Sequence, residues 1–242
     1  MTNKFYSGQN PSSRFWLGAK AKKKLNGNLI FRKAKLWTNV FLADFFLKLK
    51  RVKIIEAKTD EEKEMVYKLR YEIYEKSGYV KQKNFPNKKL KDEDEGHSIS
   101  YLALRKNKPV GTVRLVLGNK KEDFPTFRMW NVDFDKFPFL TSNIGEISKL
   151  GIKKSEGKSL IWLGMMKKVL KKSKELDSWY WVFNTNSNVI KPIEKKLNTS
   201  VSFLPILKDT PDNLKERVAI KEFLKCFDVF PCFVKVKAIG NF

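Results

Sequence analysis

The sequence predicts a mixed α/β (α+β) domain, a sheet flanked by helices, carrying a basic arm at its N-terminal end. Three observations predict it. Strand-like segments come in runs broken by single amphipathic helices, the pattern of one sheet with helices packed on it. The chain is 42% hydrophobic and 13% aromatic, with 12 Gly and 9 Pro among 242 residues, so it can bury a sizeable core. Disordered, collagen-like and low-complexity classes are excluded by the same composition. Charge is spread unevenly: 50 Lys and Arg oppose 26 Asp and Glu for a formal +24, and residues 1–55 hold 13 of the basic residues against the single acid Asp44. The length suits one large domain plus an appendage, since domains commonly run to roughly 100 to 200 residues. Residues 1–53 are accordingly read as tail and amphipathic arm, and 54–242 as the globular domain.

Residues 1–28, rich in Ser, Asn, Gly and Lys, read as a mobile tail. From Leu29 to Leu49 apolar residues recur at helical spacing (Ile30, Leu36, Trp37, Val40, Phe41, Phe45) with Lys33, Lys35, Lys48, Lys50, Arg51 and Lys53 around them. The positive region is too long for a signal peptide and no small-residue cleavage site follows. Arg32, Lys33, Lys35 and Asp44 interrupt what a membrane span would need as about 20 apolar residues. Three placements stay open for residues 29–49: docked on the domain, lying on an anionic membrane surface, or touching nucleic acid.

The first domain helix is announced by Thr59 and Glu62 at capping-box spacing, acids at 60, 61, 62 and 64, and Gly78 at its end. Val66, Leu69 and Ile73 form its stripe, and Arg70 shares a flank with Val66 and Tyr74. After a lysine-rich loop, 81–91, comes the acidic cluster Asp92, Glu93, Asp94, Glu95, read as a solvated loop. Residues 99–106 and 110–118 form a hairpin around a turn at Asn107, Lys108 and Pro109. An aromatic, irregular connection spans 119–143. A strand at 146–152, a helix at 160–176, a strand at 179–183, a short helix near 188–197, a strand at 201–206, a helix from Thr210 to about Phe227 and a closing strand at 233–237 complete the order.

Several chemistries are excluded. Cys226 and Cys232 with the lone His97 make no disulfide framework and no zinc site, and no other metal motif is seen. A reducing, cytoplasmic compartment is the expectation. No G-x-S-x-G stands near His97, which reads as a bystander. The Gly157-Lys158-Ser159 triplet lacks the first glycine of a nucleotide-binding loop, because that position is Ile152.

The residues left over form a constellation: Arg70, Tyr74, Asp92 and Glu95 at D-x-x-E spacing, Ser98, GTVRLV with Arg114, and EISKLGI with Glu146, Ser148 and Lys149. Over about residues 56–205 their order and spacing resemble the acyl-homoserine-lactone synthases and, more closely, the N-acyl amino acid synthases, both of the GCN5-related N-acyltransferase fold. Glu95 stands where the pattern's second Asp is usual, and Lys149 where Arg is usual. The resemblance implies a largely antiparallel mixed sheet and transfer of a long-chain acyl group from an acyl carrier protein or acyl-coenzyme A thioester to the amine of an amino acid or related small molecule. It implies no permanently bound cofactor.

Under that resemblance Glu146 takes the proton that an ammonium must lose before attack. Its other reading is a buried ion-pair partner of Arg114 or Lys149. Arg70, Tyr74, Asp92, Glu95, Ser98, Arg114, Ser148 and Lys149 position the acceptor or hold the wall of its site. The loop with Lys154, Gly157, Lys158 and Ser159 holds the donor's phosphates at a helix start, or is a plain turn. The alternatives are acylation of a lipid precursor, peripheral at the inner face of the membrane through residues 29–49, or a basic nucleic-acid-binding protein, for which no recognition signature is visible.

Overall fold

The computed structural model describes residues 44–136, 140–156, 158–206 and 229–239. The arm up to residue 43, Gly157, Cys226 and the helix expected near 210–227 lie outside the described residues. Seven strands form one sheet in the order β1-β2-β3-β4-β5-β7-β6, antiparallel throughout except for the β4–β5 pair. The strands are β1 Val52–Glu56, β2 Ser98–Arg105, β3 Lys108–Leu117, β4 Ile144–Ile152, β5 Tyr180–Asn186, β6 Ser202–Phe203 and β7 Val229–Lys235. The helices are α1 Asp60–Lys76, the five-residue α2 Pro125–Met129, α3 Lys158–Glu175 and α4 Ser187–Leu197.

Helix α1 starts where the capping box requires. The Thr59 hydroxyl accepts from the Glu62 N–H at 3.2 Å, and the Glu62 carboxylate accepts from the Thr59 N–H at 3.1 Å. Its buried Val66 and Leu69 pack with Ala57 and Leu102 on one face of the sheet. On the other face, Ile161, Met165, Val169 and Leu170 of α3 pack with Tyr101, Ala103, Val113, Leu115 and Trp181. Alternation along β2, and along β3 from Gly111 onward, sends odd-numbered residues to α3 and even-numbered ones to α1.

Three expectations needed adjustment. The hairpin turn is the dipeptide Lys106-Asn107, both at positive φ (46° and 62°), as a two-residue turn of matching twist demands. Lys108 and Pro109 belong to β3, and Pro109 is tolerated there because the pairing with β2 shifts register beside it, between Ala103 and Leu104. The closing strand begins at Val229, before the expected Phe233, and Val236 already starts a helical turn. Pro231 disguised it, since proline in a run argues against a strand. Strand β1 had no counterpart in the sequence reading, and it begins two residues before the expected domain boundary.

Residues 44–49 are helical and lie against α3. Asp44 pairs with Lys167, and Leu47 is buried in the main core. Gly164 permits this approach, because a Cβ there would stand 2.6 Å from the ends of both Leu47 and Ile54. We expect Leu47→Ala to lower unfolding stability by about 2 kcal/mol in a denaturant titration; an unchanged midpoint would mean that the contact is dispensable. Among the described residues no helix is long and apolar enough to cross a membrane.

Two irregularities interrupt β4. It pairs with β5 only over Ile144–Glu146 against Tyr180–Val182, while its other edge stays on β3 as far as Ile152. Beyond Glu146 the parallel strands part. Within β4 an extra residue is accommodated between Ser148 and Gly151, where Lys149 adopts φ 51°. That left-handed conformation is costly for a residue with a Cβ, on the order of 1 kcal/mol or more, so its surroundings must hold it.

Candidate active site

On the α1 face of the sheet, Ser100, Arg114 and Ser148 lie in one row across β2, β3 and β4. Arg70 descends onto this row from α1, wholly buried, donating to Glu95 and to the Ser100 hydroxyl at 2.6 Å. Arg114, also buried, donates through Nε to Ser148 Oγ at 2.9 Å and through Nη1 to Asp92 and, at 3.0 Å, to Glu95. Its Nη2 lies 3.5 Å from Asp94. Arg128 of α2 grips Asp94 from the other side at 2.6 Å, and Lys149 reaches Asp92 at 3.2 Å. The Lys149 ammonium also stands 5.8 Å from the centre of the Tyr74 ring, a contact that helps hold its strained backbone.

The acidic cluster is therefore no solvated loop. Asp94 is only 3% exposed, and the residues 93–97 wind into a helical turn that Asp92 caps through the Asp94 N–H. Buried carboxylates require partners, and four cations supply them. Burial acts to raise the Asp92 carboxyl, but Lys149 and Arg114 outweigh it and hold the group well below the usual carboxylate range. Burial lowers Lys149, and the neighbouring Asp92 opposes that. For Arg114 the same carboxylates more than offset burial and push the guanidinium upward.

Glu146 stands outside this pairing. It is 1% exposed, and among the described residues no cation lies within ion-pair distance of its carboxylate. Its Oε2 accepts from the Thr126 backbone N–H at 2.8 Å. Burial pushes the carboxyl up to about 7, partly opposed by hydrogen bonds from Thr126 and by Arg114. Arg114 and Lys149, the two cations named as its possible partners, are both paired with Asp92, so among the described residues the carboxyl has no ion-pair partner.

Glu146 opens onto a cavity of about 410 Å³. Its floor is charged, with Asp92, Asp94, Arg114, Arg128 and Lys149, and its opposite wall is apolar, with Val80, Phe85 and Leu90 from the loop after α1. A second cavity of about 250 Å³ lies where β4 and β5 have parted, lined by Trp162, Met166, Trp181, Phe183, Ile193 and Leu197. Tyr74, Tyr79, Ile147, Ser148, Lys149 and Asn184 border both. A chamber that holds the charged cluster and one lined mainly by apolar side chains thus meet at the residues of β4 just past Glu146.

Of the residues singled out from the sequence, Tyr74, Asp92, Arg114, Glu146, Ser148 and Lys149 line the first cavity. Arg70 and Glu95 stand behind it as supports of Arg114. Ser98 begins β2 with its hydroxyl buried and without a hydrogen-bond partner, away from the cavity lining. Lys154, Lys158 and Ser159 are exposed at the head of α3. Glu156 in the same turn is tied to Arg105, and Lys153 to Glu72 at 2.8 Å. Sequence reasoning missed Asp94, Ser100, Thr126, Arg128 and Asn184. Only Pro125, a good first residue for a helix, hinted that the aromatic connection holds a fixed turn.

No curated protein sequence matches the chain. Solved structures share its fold. The AHL synthase LasI is 18% identical with a TM-score of 0.53, covering 78% of this chain and 93% of that one. The CoA-dependent acyl-homoserine lactone synthase BjaI, with SAM and isopentyl-CoA, is 15% identical with a TM-score of 0.56, covering 77% and 83%. FeeM, an N-acyl amino acid synthase from uncultured soil microbes, is 13% identical with a TM-score of 0.54, covering 77% and 91%. The sheet and its helices are thus arranged as in these synthases. A profile of the N-acyl amino acid synthase FeeM family matches residues 65–190, from the middle of α1 to the start of α4, and so takes in the acidic turn, Arg114, Glu146 and the parting of β4 from β5. The chain belongs to that family of acyltransferases.

Proposed function

We propose that this N-acyltransferase moves a long-chain acyl group from a carrier-protein or coenzyme A thioester to the amine of an amino acid or related small molecule, with Glu146 as the general base. The observation that carries this reading is the buried Glu146 carboxyl, without an ion-pair partner among the described residues, beside the charged cluster of one cavity and next to a second, apolar one. An amine is mostly ammonium at neutral pH, and a carboxyl titrating near 7 is matched to removing its proton, directly or through a water. The amine then attacks the thioester carbonyl, the tetrahedral intermediate collapses with cleavage of the C–S bond and loss of the thiolate, and the remaining excess proton on nitrogen passes to that thiolate to leave amide and free thiol. Backbone N–H groups along the unpaired stretch of β4 are suited to stabilise the developing oxyanion.

The charged floor suits the acceptor and the apolar chamber suits the acyl chain. Arg114 has its donors engaged by the Ser148 hydroxyl and by protein carboxylates, so Lys149 is the better candidate to meet an acceptor carboxylate: it spends one contact on Asp92 and has further N–H donors to give. Arg70, Glu95 and Arg114 then act as the frame of the site. On this reading Lys154, Lys158 and Ser159, exposed at the head of α3, hold the donor's phosphates, with Gly157 between them in sequence. BjaI, in its own structure, carries isopentyl-CoA; for this chain the donor is open to test. Exposed Lys83, Lys88, Lys91, Lys158, Lys168 and Lys171 favour an acidic carrier protein over free acyl-coenzyme A. We expect turnover to prefer acyl carrier protein at low salt, and the preference to shrink between about 50 and about 300 mM salt as screening shortens. Equal rates with both donors at low salt would sink the docking argument. The reading as a whole is tested by mass spectrometry of lipid extracts from cells expressing the chain: a new N-acyl species is expected, absent with Glu146→Gln.

A further inference from the structure

Glu146 is held by neutral groups, and the direction of the hydrogen bonds reaching it is fixed from their far end. An indole N–H can only donate. Trp130 Nε1 donates to Asn184 Oδ1 at 2.8 Å, which orients the amide and turns its Nδ2 to Thr126 Oγ1 at 2.9 Å. Amide nitrogen donates as well, so the Thr126 hydroxyl must accept there and spend its own proton elsewhere. The Glu146 carboxyl lies beside this residue, its Oε2 accepting from the Thr126 backbone N–H at 2.8 Å, and the Thr126 side chain is among the influences that favour its ionised form. Donation therefore runs one way from indole to amide to hydroxyl, and the hydroxyl keeps its own proton to give to the neighbouring carboxylate.

Resting on the reading of Glu146 as base, we propose that Asn184 is a positioning residue which, through Thr126, keeps the Glu146 carboxylate a pure acceptor and aims its free oxygen into the cavity. The charged groups around Glu146 do not do this. Arg114 on β3 favours the ionised form, but it is spent on Asp92, Glu95 and Asp94. Asp94 in the acidic turn works against ionisation. Arg128 on α2 and Lys149 on β4 are paired with Asp94 and Asp92, and α1 brings Arg70, bound to Glu95, and the neutral Tyr74. Strand β5 presents Val182 opposite Glu146, and then Asn184. The Thr126 backbone N–H and, on this proposal, its hydroxyl are what remains to offset burial. Asn184 sits two residues past the last β5 residue paired with β4 and borders both cavities, so the same residue marks the opening and orders the base.

The test uses near-isosteric changes read on the full chain by the pH dependence of kcat/KM, together with direct titration of the Glu146 carboxyl by carbon NMR. Asn184→Asp offers Thr126 an acceptor in place of a donor, turning its hydroxyl proton away from Glu146. Thr126→Val deletes that proton, and Thr126→Ser restores it. Expected in the first two variants is an acid limb, and a Glu146 titration, displaced upward by about half to one pH unit, so that activity at pH 6 falls several-fold and largely returns at pH 9. Thr126→Ser should titrate as the wild type does. Lowered activity or stability with the limb and titration unmoved overturns the proposal and leaves Asn184 a packing residue. Should Asn184→Asp not fold, Thr126→Val alone decides. Failure of the underlying reading looks different: Glu146→Gln would then retain turnover and the acid limb.

Discussion

Glu146→Gln is expected to keep the fold and lose turnover by about 10² to 10⁴, the usual range for a general base. The amide keeps the shape and still accepts from the Thr126 N–H, but it cannot take a proton. Wild-type kcat/KM should rise with pH through about 7, where the buried carboxyl ionises, and this limb should vanish in whatever activity the variant retains. Stability gives an independent check with a definite sign. Because the folded Glu146 titrates above its ordinary value, the native state binds more protons than the unfolded chain between about pH 4 and 7, and wild-type stability declines across that window as pH rises. Glutamine carries no such cost, so the variant should gain on wild type as pH rises to about 7 and hold a constant advantage above it. Near-wild-type turnover at neutral pH would remove Glu146 from the mechanism.

The parts of the fold legible in the sequence were those written in local chemistry. Thr59 with Glu62 marks the start of α1 because a helix leaves N–H groups that only such side chains can satisfy. The β2–β3 hairpin and α3 are legible through hydrophobic period. What escaped was decided by tertiary pairing. β1, Lys-Ile-Ile within a lysine-rich stretch, is a strand because β2 offers it an edge. β7 contains Pro231 and is nonetheless held on both sides, by β5 and β6.

The site divides the same way. Arg70, Asp92, Arg114, Glu146 and Lys149 come from four short blocks, and the sheet brings them within one cluster. The sequence cannot say which of these groups end up paired, because that depends on how many cations meet how many carboxylates in space. Asp94 looks like one more surface acid, yet it sits between Arg114 and Arg128. Thr126 and Asn184 are ordinary polar residues in their segments, 58 apart along the chain, and gain their meaning only when the aromatic connection folds back over β4 and β5. Neutral hydrogen-bonding partners of a base leave no charge pattern to find.

Arg114→Met should cost about 3 to 5 kcal/mol of unfolding stability at neutral pH, the range for removing one member of a buried ionic cluster. Methionine fills much of the stem's volume, so packing loss is small and the cost is electrostatic. Asp92 keeps Lys149, Glu95 keeps Arg70 and Asp94 keeps Arg128, but each loses the cation that links them. The pH dependence separates this account from lost packing. In the wild type, Asp92 titrates below its ordinary value, so its contribution is complete above the unfolded value of about 3.9 and is lost only as pH falls through the lower folded value. In the variant its folded value moves back up, the carboxyl can take a proton on mild acidification, and the penalty relaxes. The difference in stability between wild type and variant should therefore be largest near pH 7 and shrink towards pH 4. Arg114→Lys should fall in between, since one ammonium cannot span Ser148, Asp92 and Glu95 at once. A stability difference that is constant with pH would assign the loss to packing and show that the carboxylates find other partners without Arg114.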